Sequence, residues 1–563
     1  MNNDLIFNRR IFMGGLGASL LAPSILPAQT AKPEYVQIAT AEGRLRGARV
    51  DGVSIFKGVR YAAPLTAQDR FKAPRKLPSW KGVRDALEYG APSIQRPSRN
   101  VGGVEPSEDC LFLNLWTPAT KPDGKKRAVM YYLHGGGFVI GSGNAQGQDG
   151  ANLARNNDVV VIETNHRLGL LGFLWLGDLL GEEYATSGNQ GLFDITEGLD
   201  WVRRNVEAFG GDPNNVMVWG ESGGGAKTSS IYAFSPAVKL FHKASIESGP
   251  GIRMKPRELA TETTVYVLDQ LGISRRDARK LLDVPADKLL AIQEAPAPRP
   301  ATGAAANGPP LMGMGSGALN SYGSVVDGKF LAAHPFDPTA PAMSADKPLI
   351  VGGNKDEATF FLRTAPDKSV FSLDEEGLRK RIVTQYGDAN GGALLAAYHK
   401  DMPEATPSQI AIAIQSDSFS RIGSNYIAEK KVAQGRAPAF LYRLVQGLTV
   451  PVEGTNYPTG AMHALDIGLK FDNALRGPTG VSGSGGRNAA EPDGGAALQA
   501  TAKNMSRYWA GFAKTGVPHA EGQPAWPAYD LTSRPMMLLK AQCEVVNDPY
   551  PNVRKTWSAM MTS

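Results

Sequence analysis

The sequence predicts an α/β protein in which helices cover both faces of a mostly parallel β-sheet. Short apolar, strand-like runs alternate with helix-like stretches through the first half of the chain. Strands that alternate with helices favour parallel pairing, because each connection must cross back to the starting end of the sheet. With 42% hydrophobic and 20% charged residues, the 563-residue chain also has the composition of a folded globular protein.

Seven apolar runs are predicted to be strands of this sheet. The four central ones are AVMYYLH (128–134), DVVVIET (158–164), NVMVWG (215–220) and KASIES (243–248), and the later ones are PLIVGGN (348–354), AFLYRLV (439–445) and PMMLLK (535–540). The stretch FDITEGLDWVRRNVEAFGG (193–211) has apolar residues at helical spacing and stops at Gly-Gly, which predicts a helix.

Two segments interrupt this alternation and are predicted to be exposed loops. Residues 294–317 are rich in Pro, Ala and Gly, and residues 476–495 are rich in Gly and Ser. The chain contains no internal repeat and no linker between two separate cores. We therefore expect a single large domain over residues 29–563, with insertions around 251–317 and 476–495.

The N-terminus resembles a twin-arginine export signal. In NRRIFMGG (8–15), Arg9 and Arg10 precede a modestly apolar stretch that runs to Leu26, and small residues before Gln29 suit a signal peptidase. We expect residues 1–28 to be removed and the mature protein to be periplasmic or secreted. The body has no apolar run long enough to cross a bilayer, so no stable membrane insertion is expected after removal.

Charge and cysteine content exclude several kinds of protein. The net charge is +6 and the pI about 9.0, but Lys and Arg are scattered along the chain, so no nucleic-acid partner is predicted. Cys110 and Cys543 allow at most one disulfide, and neither has the spacing of a metal or redox motif. No metal site is predicted.

The stretch VMVWGESGGGA (216–226) places one serine, Ser222, among four glycines. An apolar strand precedes it and a breaker-free helical stretch follows it. This order of strand, sharp turn and helix is that of the G-x-S-x-G elbow, which raises a serine hydroxyl above the end of a sheet. Ser222 is therefore the candidate nucleophile.

A second glycine-rich loop, LHGGGFVIGSG (133–143), follows the strand AVMYYLH. Backbone N–H groups from Gly136 and Gly137, together with that of Gly223, are predicted to form an oxyanion hole. A phosphate-binding loop is the alternative interpretation, but the G-x-x-x-x-G-K-[ST] spacing is missing.

A serine nucleophile needs a base and a carboxylate that orients the base. With this elbow the order along the chain is serine, acid, histidine, so the base should lie well downstream. His463, in PTGAMHALDIGLKFDN (458–473), fits this order, whereas the other six histidines precede Ser222, follow it too closely, or lie in turns and an exposed helix end. VGGNKDEATFF (351–361) supplies the acid, and spacing alone does not separate Asp356 from Glu357.

These motifs together resemble the type-B carboxylesterases, the α/β-hydrolase group that contains acetylcholinesterase and many bacterial esterases. The likeness runs from about Val36 to Trp526. Besides the two glycine loops and the acid and histidine blocks, it includes SEDCLFLNLWTP (107–118), NHRLGLLGF (165–173), GNQGLFD (188–194), FGGDP (209–213), VVDG (325–328) and FAKTG (512–516).

The resemblance implies the α/β-hydrolase fold and a serine hydrolase, of an exported bacterial type, that cleaves small carboxylic esters through an acyl-enzyme without a cofactor. It makes Glu357 the triad acid and His463 the base, and it matches Glu221 to a glutamate buried beside the site. Residues 251–317 would build the lid and pocket wall. Alternatives are hydrolysis of amides, carbamates or lactones with the same triad, or a binding module that has lost catalysis.

The chain departs from the family pattern at two places. Gly223 stands where many members have alanine, a change that leaves the backbone donor in place. Cys110 stands where the family forms a disulfide, but its upstream partner position falls near Ser93, which makes that bridge doubtful.

Overall fold

The computed structural model describes residues 34–97, 101–119, 123–298, 319, 321–474 and 495–562. The predicted export signal at 1–28 lies outside these residues, and so does most of the two predicted loops at 294–317 and 476–495.

The described residues contain one large sheet and two small two-stranded sheets. The strands are β1 Glu34–Ala39, β2 Arg44–Val50, β3 Val53–Arg60, β4 Val83–Asp85, β5 Phe112–Thr117, β6 Arg127–Leu133, β7 Val160–Thr164, β8 Gly211–Glu221, β9 Lys243–Glu247, β10 Lys255–Pro256, β11 Val325–Val326, β12 Leu349–Asn354, β13 Ala439–Leu444, β14 Leu448–Pro451, β15 Pro458–Gly460, β16 Pro535–Leu539 and β17 Glu544–Asn547.

The large sheet is parallel in its centre and mainly antiparallel towards both edges, where only the short pair of β2 with β4 is parallel within the described residues. Its order is β1-β2-β3-β5-β7-β6-β8-β9-β12-β13-β16-β17, with β4 paired to β2. Every neighbouring pair from β7 to β16 is parallel, and Val218 of β8 lies between Tyr131 of β6 and Ala244 of β9. The seven predicted strands are all present in this central part, which confirms the predicted fold class.

Helices occupy the connections between the central strands. They are α1 Ala151–Asn157, α2 Gly169–Phe173, α3 Gly177–Leu180, α4 Gln190–Asn205, α5 Gly223–Tyr232, α6 Arg257–Gln270, α7 Ala286–Glu294, α8 Glu357–Leu362, α9 Glu375–Tyr386, α10 Asp388–Asp401, α11 Pro407–Ser416, α12 Ile422–Val432, α13 Leu465–Lys470, α14 Ala496–Thr515 and α15 Pro551–Thr562. The helix predicted at 193–211 is α4 followed by a 3-10 turn that ends at Gly210.

Two apolar layers pack on opposite faces of the sheet. Side chains alternate along a strand, so Val216 and Val218 of β8 enter one layer while Met217 and Trp219 enter the other. The first layer is covered by α4 and α5, and the second by α1, α13 and α14. This arrangement holds the carboxyl ends of the parallel strands rigidly, and the motifs lie at those ends.

None of the helices in the described part of the chain is long and apolar enough to span a membrane.

Candidate active site

Ser222 lies at the tip of the sharp turn between β8 and α5. Its backbone has φ 60° and ψ −123°, a conformation that side-chain-bearing residues rarely adopt, and its N–H donates to the Glu247 carbonyl at 2.8 Å. A Cβ on any of the four surrounding glycines would lie 2.0–2.6 Å from backbone atoms, closer than real contacts allow. Glycine is therefore required at these four positions, because neighbouring backbone atoms leave no space for a Cβ. The turn leaves Ser222 7% exposed.

The structure brings the three predicted triad side chains together. His463 follows β15 and precedes α13, and its Nε2 lies 2.8 Å from Ser222 Oγ. Its Nδ1 lies 2.7 Å from Oε2 of Glu357, the first residue of α8. Because a carboxylate only accepts, Nδ1–H donates to Glu357, and Nε2 is left to accept the hydroxyl proton of Ser222.

Glu357 and its neighbour Asp356 have different partners. Glu357 is fully buried, and its Oε1 accepts the Asn354 N–H at 2.7 Å. Asp356 is only half-buried, and its Oδ2 accepts the Ala461 N–H at 2.9 Å. The tertiary structure therefore separates two carboxylates that spacing alone could not.

A second buried carboxylate, Glu221, also faces His463. Its Oε1 lies 3.3 Å from His463 Nδ1 and has no hydrogen bond within the described residues. Burial raises the pKa of Glu221 because the charged form loses its hydration. Burial alone would lower the pKa of His463, but the carboxylates of Glu221 and Glu357 outweigh it, so the pKa of His463 is raised. The raised pKa makes the imidazole a stronger proton acceptor, and the ring becomes neutral only at a higher pH.

The predicted oxyanion loop passes directly over Ser222. A Cβ on Gly135 would lie 3.4 Å from Ser222 Cβ, and Gly136 and Gly137 have φ of +87° and +66°. Within the described residues, the N–H groups of Gly136, Gly137 and Gly223 donate to no protein acceptor outside regular structure. Such donors are available for an oxygen placed beside Ser222 Oγ.

Sequence reasoning did not find the buried ion cluster behind the histidine. Lys470 bonds the carboxylates of both Asp466, at 2.7 Å, and Glu247. All three side chains are fully buried, and Trp509 Nε1 donates to Glu247 Oε1. Asp466 also accepts from the Asn354 amide at 3.2 Å, so the cluster contacts the segment that carries Glu357. The signal for this cluster in the sequence is that Glu247, Asp466 and Lys470 each stand within a largely apolar stretch.

Three aromatic rings that sequence reasoning also missed surround the imidazole. The ring centroids of Phe360, Phe361 and Phe419 lie 5.5, 5.2 and 5.0 Å from that of His463. Phe361 is 46% exposed, so apolar surface next to His463 is in contact with solvent. Phe419 comes from a π-helical turn, Asp417–Arg421, between α11 and α12.

Both cysteines are free and buried. The Ser93 hydroxyl lies beside the Cys110 thiol, where the family pattern would place a second sulfur. In the described part of the chain, no group of three or more His, Cys, Asp or Glu side chains is arranged to hold a metal ion.

Comparison with known proteins identifies the family to which the chain belongs. The sequence model of the Carboxylesterase family matches residues 33–557. The chain is 31% identical to para-nitrobenzyl esterase of Bacillus subtilis (strain 168) over 528 residues, covering 92% of this chain and 97% of that protein. It is 30% identical to phenmedipham hydrolase of Pseudarthrobacter oxydans over 500 residues, covering 87% and 92%.

Solved structures agree with the sequence comparison. The Geobacillus stearothermophilus carboxylesterase Est55, solved at pH 6.2, superposes with a TM-score of 0.75 at 34% identity, covering 93% of this chain and all of that one. The fold is thus that of the α/β-hydrolase carboxylesterases, a class of serine ester hydrolases. The chain belongs to the carboxylesterase family, and the predicted carboxylic-ester hydrolase function is confirmed at this level.

Proposed function

We propose that Ser222 is the nucleophile of this ester hydrolase, His463 its general base, and Glu357 the carboxylate that orients the imidazole. The observation that carries this assignment is the unbroken pair of hydrogen bonds, 2.8 Å from Ser222 Oγ to His463 Nε2 and 2.7 Å from His463 Nδ1 to Glu357 Oε2. Serine, base and orienting carboxylate in this arrangement perform acyl transfer on several unrelated folds.

In the proposed cycle, Ser222 Oγ bonds to the ester carbonyl carbon while its proton passes to His463 Nε2. His463 then gives that proton to the departing alkoxide as the C–O bond breaks, which leaves an acyl-enzyme and a free alcohol. Water repeats the attack through the same base, and the carboxylic acid leaves. The cycle uses only side chains, backbone donors and water.

The backbone donors of the glycine loops stabilise the tetrahedral intermediate. In the proposal, Gly136, Gly137 and Gly223 donate to the oxygen that becomes negative when Ser222 adds to the carbonyl. Each such donor contributes about 3 kcal/mol to transition-state stabilisation in enzymes where this has been measured. Glu221 supports the site electrostatically, because its ionised carboxylate and the imidazolium that forms during attack stabilise each other.

We also propose that the enzyme works as one exported domain. The pair Arg9-Arg10 before an apolar stretch supports a removable twin-arginine signal over 1–28. One sheet that draws strands from Glu34 to Asn547 supports a single domain over 29–563, with insertions around 251–317 and 476–495. N-terminal sequencing of protein recovered from the periplasm and the medium tests export, and an unprocessed cytoplasmic chain would contradict it.

Hydrolysis of p-nitrophenyl esters from acetate to dodecanoate tests the proposed roles. Ser222→Ala should lower kcat about 10⁶-fold, and Glu357→Gln about 10⁴-fold, because the imidazole loses its orienting charge. Asp356→Asn is the matched control, since the adjacent carboxylate bonds a backbone N–H instead of His463, and it should keep near-normal kcat.

Three outcomes would contradict these assignments. If Ser222→Ala retains activity, Ser222 is not the nucleophile. If Asp356→Asn lowers kcat as much as Glu357→Gln, Glu357 is not the specific orienting acid. If an anilide or carbamate is cleaved faster than its matched ester, esters are not the preferred substrates of this enzyme.

A further inference from the structure

Lys227 is a buried cation close to the active site that the proposed cycle does not use. It lies in α5, five residues after Ser222, with no exposed surface. Burial lowers the pKa of Lys227 to about 7, with no carboxylate acting against it. Its acceptor in the described part of the chain is the carbonyl oxygen of His134, 2.9 Å from Nζ. The ammonium and the neutral amine both carry N–H groups, so this hydrogen bond survives either state.

The next peptide of the same loop is held by the His134 side chain. His134 Nδ1 lies 2.9 Å from the Gly135 carbonyl oxygen. Because a carbonyl only accepts, Nδ1 carries the proton and donates. Burial, and secondarily the charge of Lys227, lowers the pKa of His134, so its ring is neutral. The ring stacks on that of His166, with centroids 4.7 Å apart and planes 21° from parallel.

Two successive carbonyls of the oxyanion loop therefore each accept a hydrogen bond from a buried side chain. A trans peptide is planar, so orienting a C=O also orients the N–H of the following residue. The carbonyl of Gly135 shares its peptide with the N–H of Gly136, a proposed oxyanion donor. Three consecutive glycines would otherwise rotate their peptides at little steric cost.

We propose that Lys227 is a positioning residue of the oxyanion loop: through the His134 carbonyl it fixes the His134–Gly135 peptide. That peptide in turn positions the next one, which the His134 ring holds and whose Gly136 N–H faces the developing oxyanion. This inference rests on the proposed function of the loop. Lys227 does not contact substrate in this scheme, and its effect is transmitted through the backbone of residues 134–136.

Two substitutions test the proposal. Lys227→Met keeps an unbranched side chain of nearly the same length and removes every N–H, so kcat should fall about 10- to 100-fold with KM changed less than about threefold, because a misdirected donor weakens only transition-state binding. Lys227→Gln retains an N–H donor and should recover most of that loss.

Inhibition by an alkyl trifluoromethyl ketone supplies a second readout, since its adduct with Ser222 carries an oxyanion. In Lys227→Met its Ki should rise by the same factor as kcat falls, while the Ki of the corresponding methyl ketone stays unchanged. Lys431→Met is the matched control: Lys431 also donates to backbone carbonyls, those of Ser344 and Ala345, but away from the site. It should alter stability without altering kcat or either Ki.

A Lys227→Met enzyme with lowered thermal stability but wild-type kcat and Ki would overturn the proposal and leave a purely structural role. If Lys227→Met does not fold, Lys227→Ala takes its place, since it also removes every N–H and is smaller: Ki and kcat changed in step support positioning, and neither changed overturns the proposal. Failure of the proposed function would appear separately, as wild-type protein without Ser222-dependent esterase activity.

Discussion

Gly223, the residue after Ser222, has no room for a side chain. A Cβ at this position would lie 2.0 Å from the Gly137 carbonyl oxygen and 2.4 Å from its nitrogen, whereas real Cβ contacts are essentially never shorter than 3.0 Å. Gly223→Ala must therefore displace the Gly137 peptide by about 1 Å. That peptide belongs to the loop that supplies the proposed oxyanion donors, so the local packing of this chain disfavours alanine at position 223.

The expected cost follows from that displacement. A shift of about 1 Å in a catalytic group costs about 10²-fold in rate, and loss of one oxyanion donor costs about 10²- to 10³-fold. We expect Gly223→Ala to lower kcat for p-nitrophenyl butyrate about 100-fold, or about 2.7 kcal/mol, with little change in KM.

Gly392→Ala is the control, because Gly392 lies within α10 and a Cβ there meets no atom within 4 Å. It should keep wild-type kcat and gain about 0.5–1 kcal/mol of stability from the better helix former. A Gly223→Ala enzyme with wild-type kcat would contradict this prediction, because the loop would then have accommodated the methyl group without losing its donors.

Two further substitutions probe the buried charges. Glu221→Gln removes a carboxylate that raises the pKa of His463, so the imidazole becomes neutral at lower pH. The acid limb of the kcat/KM profile should therefore move down by about 1–3 pH units. The control is Glu376→Gln at an exposed position, and an acid limb that moves no more than in this control would contradict the prediction. Lys470→Met leaves two buried carboxylates without their cation and should lower the free energy of unfolding by about 3–5 kcal/mol. Without the lysine, the buried carboxylates are more stable protonated than ionised, so the loss of unfolding free energy should grow as pH rises. Urea denaturation at pH 6 and pH 9 measures this loss. Lys540→Met, which breaks an exposed pair, should cost less than about 1 kcal/mol at both pH values, and an equal loss in the two variants would contradict the prediction.

The antiparallel edge of the sheet shows why strand prediction succeeded only in the centre. The central strands are continuous apolar runs because both faces are covered, and such runs are visible in sequence. Strands β1 and β4 are largely exposed and carry charged residues, so their pattern is weak. Strand β1 pairs with its neighbour in sequence, β2, whereas the place of β4 depends on a partner more distant in the chain, since Val83–Asp85 pairs with β2.

Features that depend on neighbouring residues could be predicted from the sequence alone. The glycines around Ser222 and in residues 135–137 appear as motifs because a crowded turn needs residues without Cβ atoms at adjacent positions. The order of serine, acid and histidine follows from the order of strands in a parallel sheet, and it led to His463 without structural information.

Which side chains contact one another depends on the tertiary fold and could not be predicted from the sequence. Asp356 and Glu357 are adjacent in sequence, and the start of α8 directs one to a backbone N–H and the other to His463. Lys470 lies 223 residues from Glu247 along the chain, and Lys227 lies 93 residues from the carbonyl of His134. Such pairings have no local pattern, because they arise where separate strands and helices bring buried polar groups together and each group must find a partner away from water.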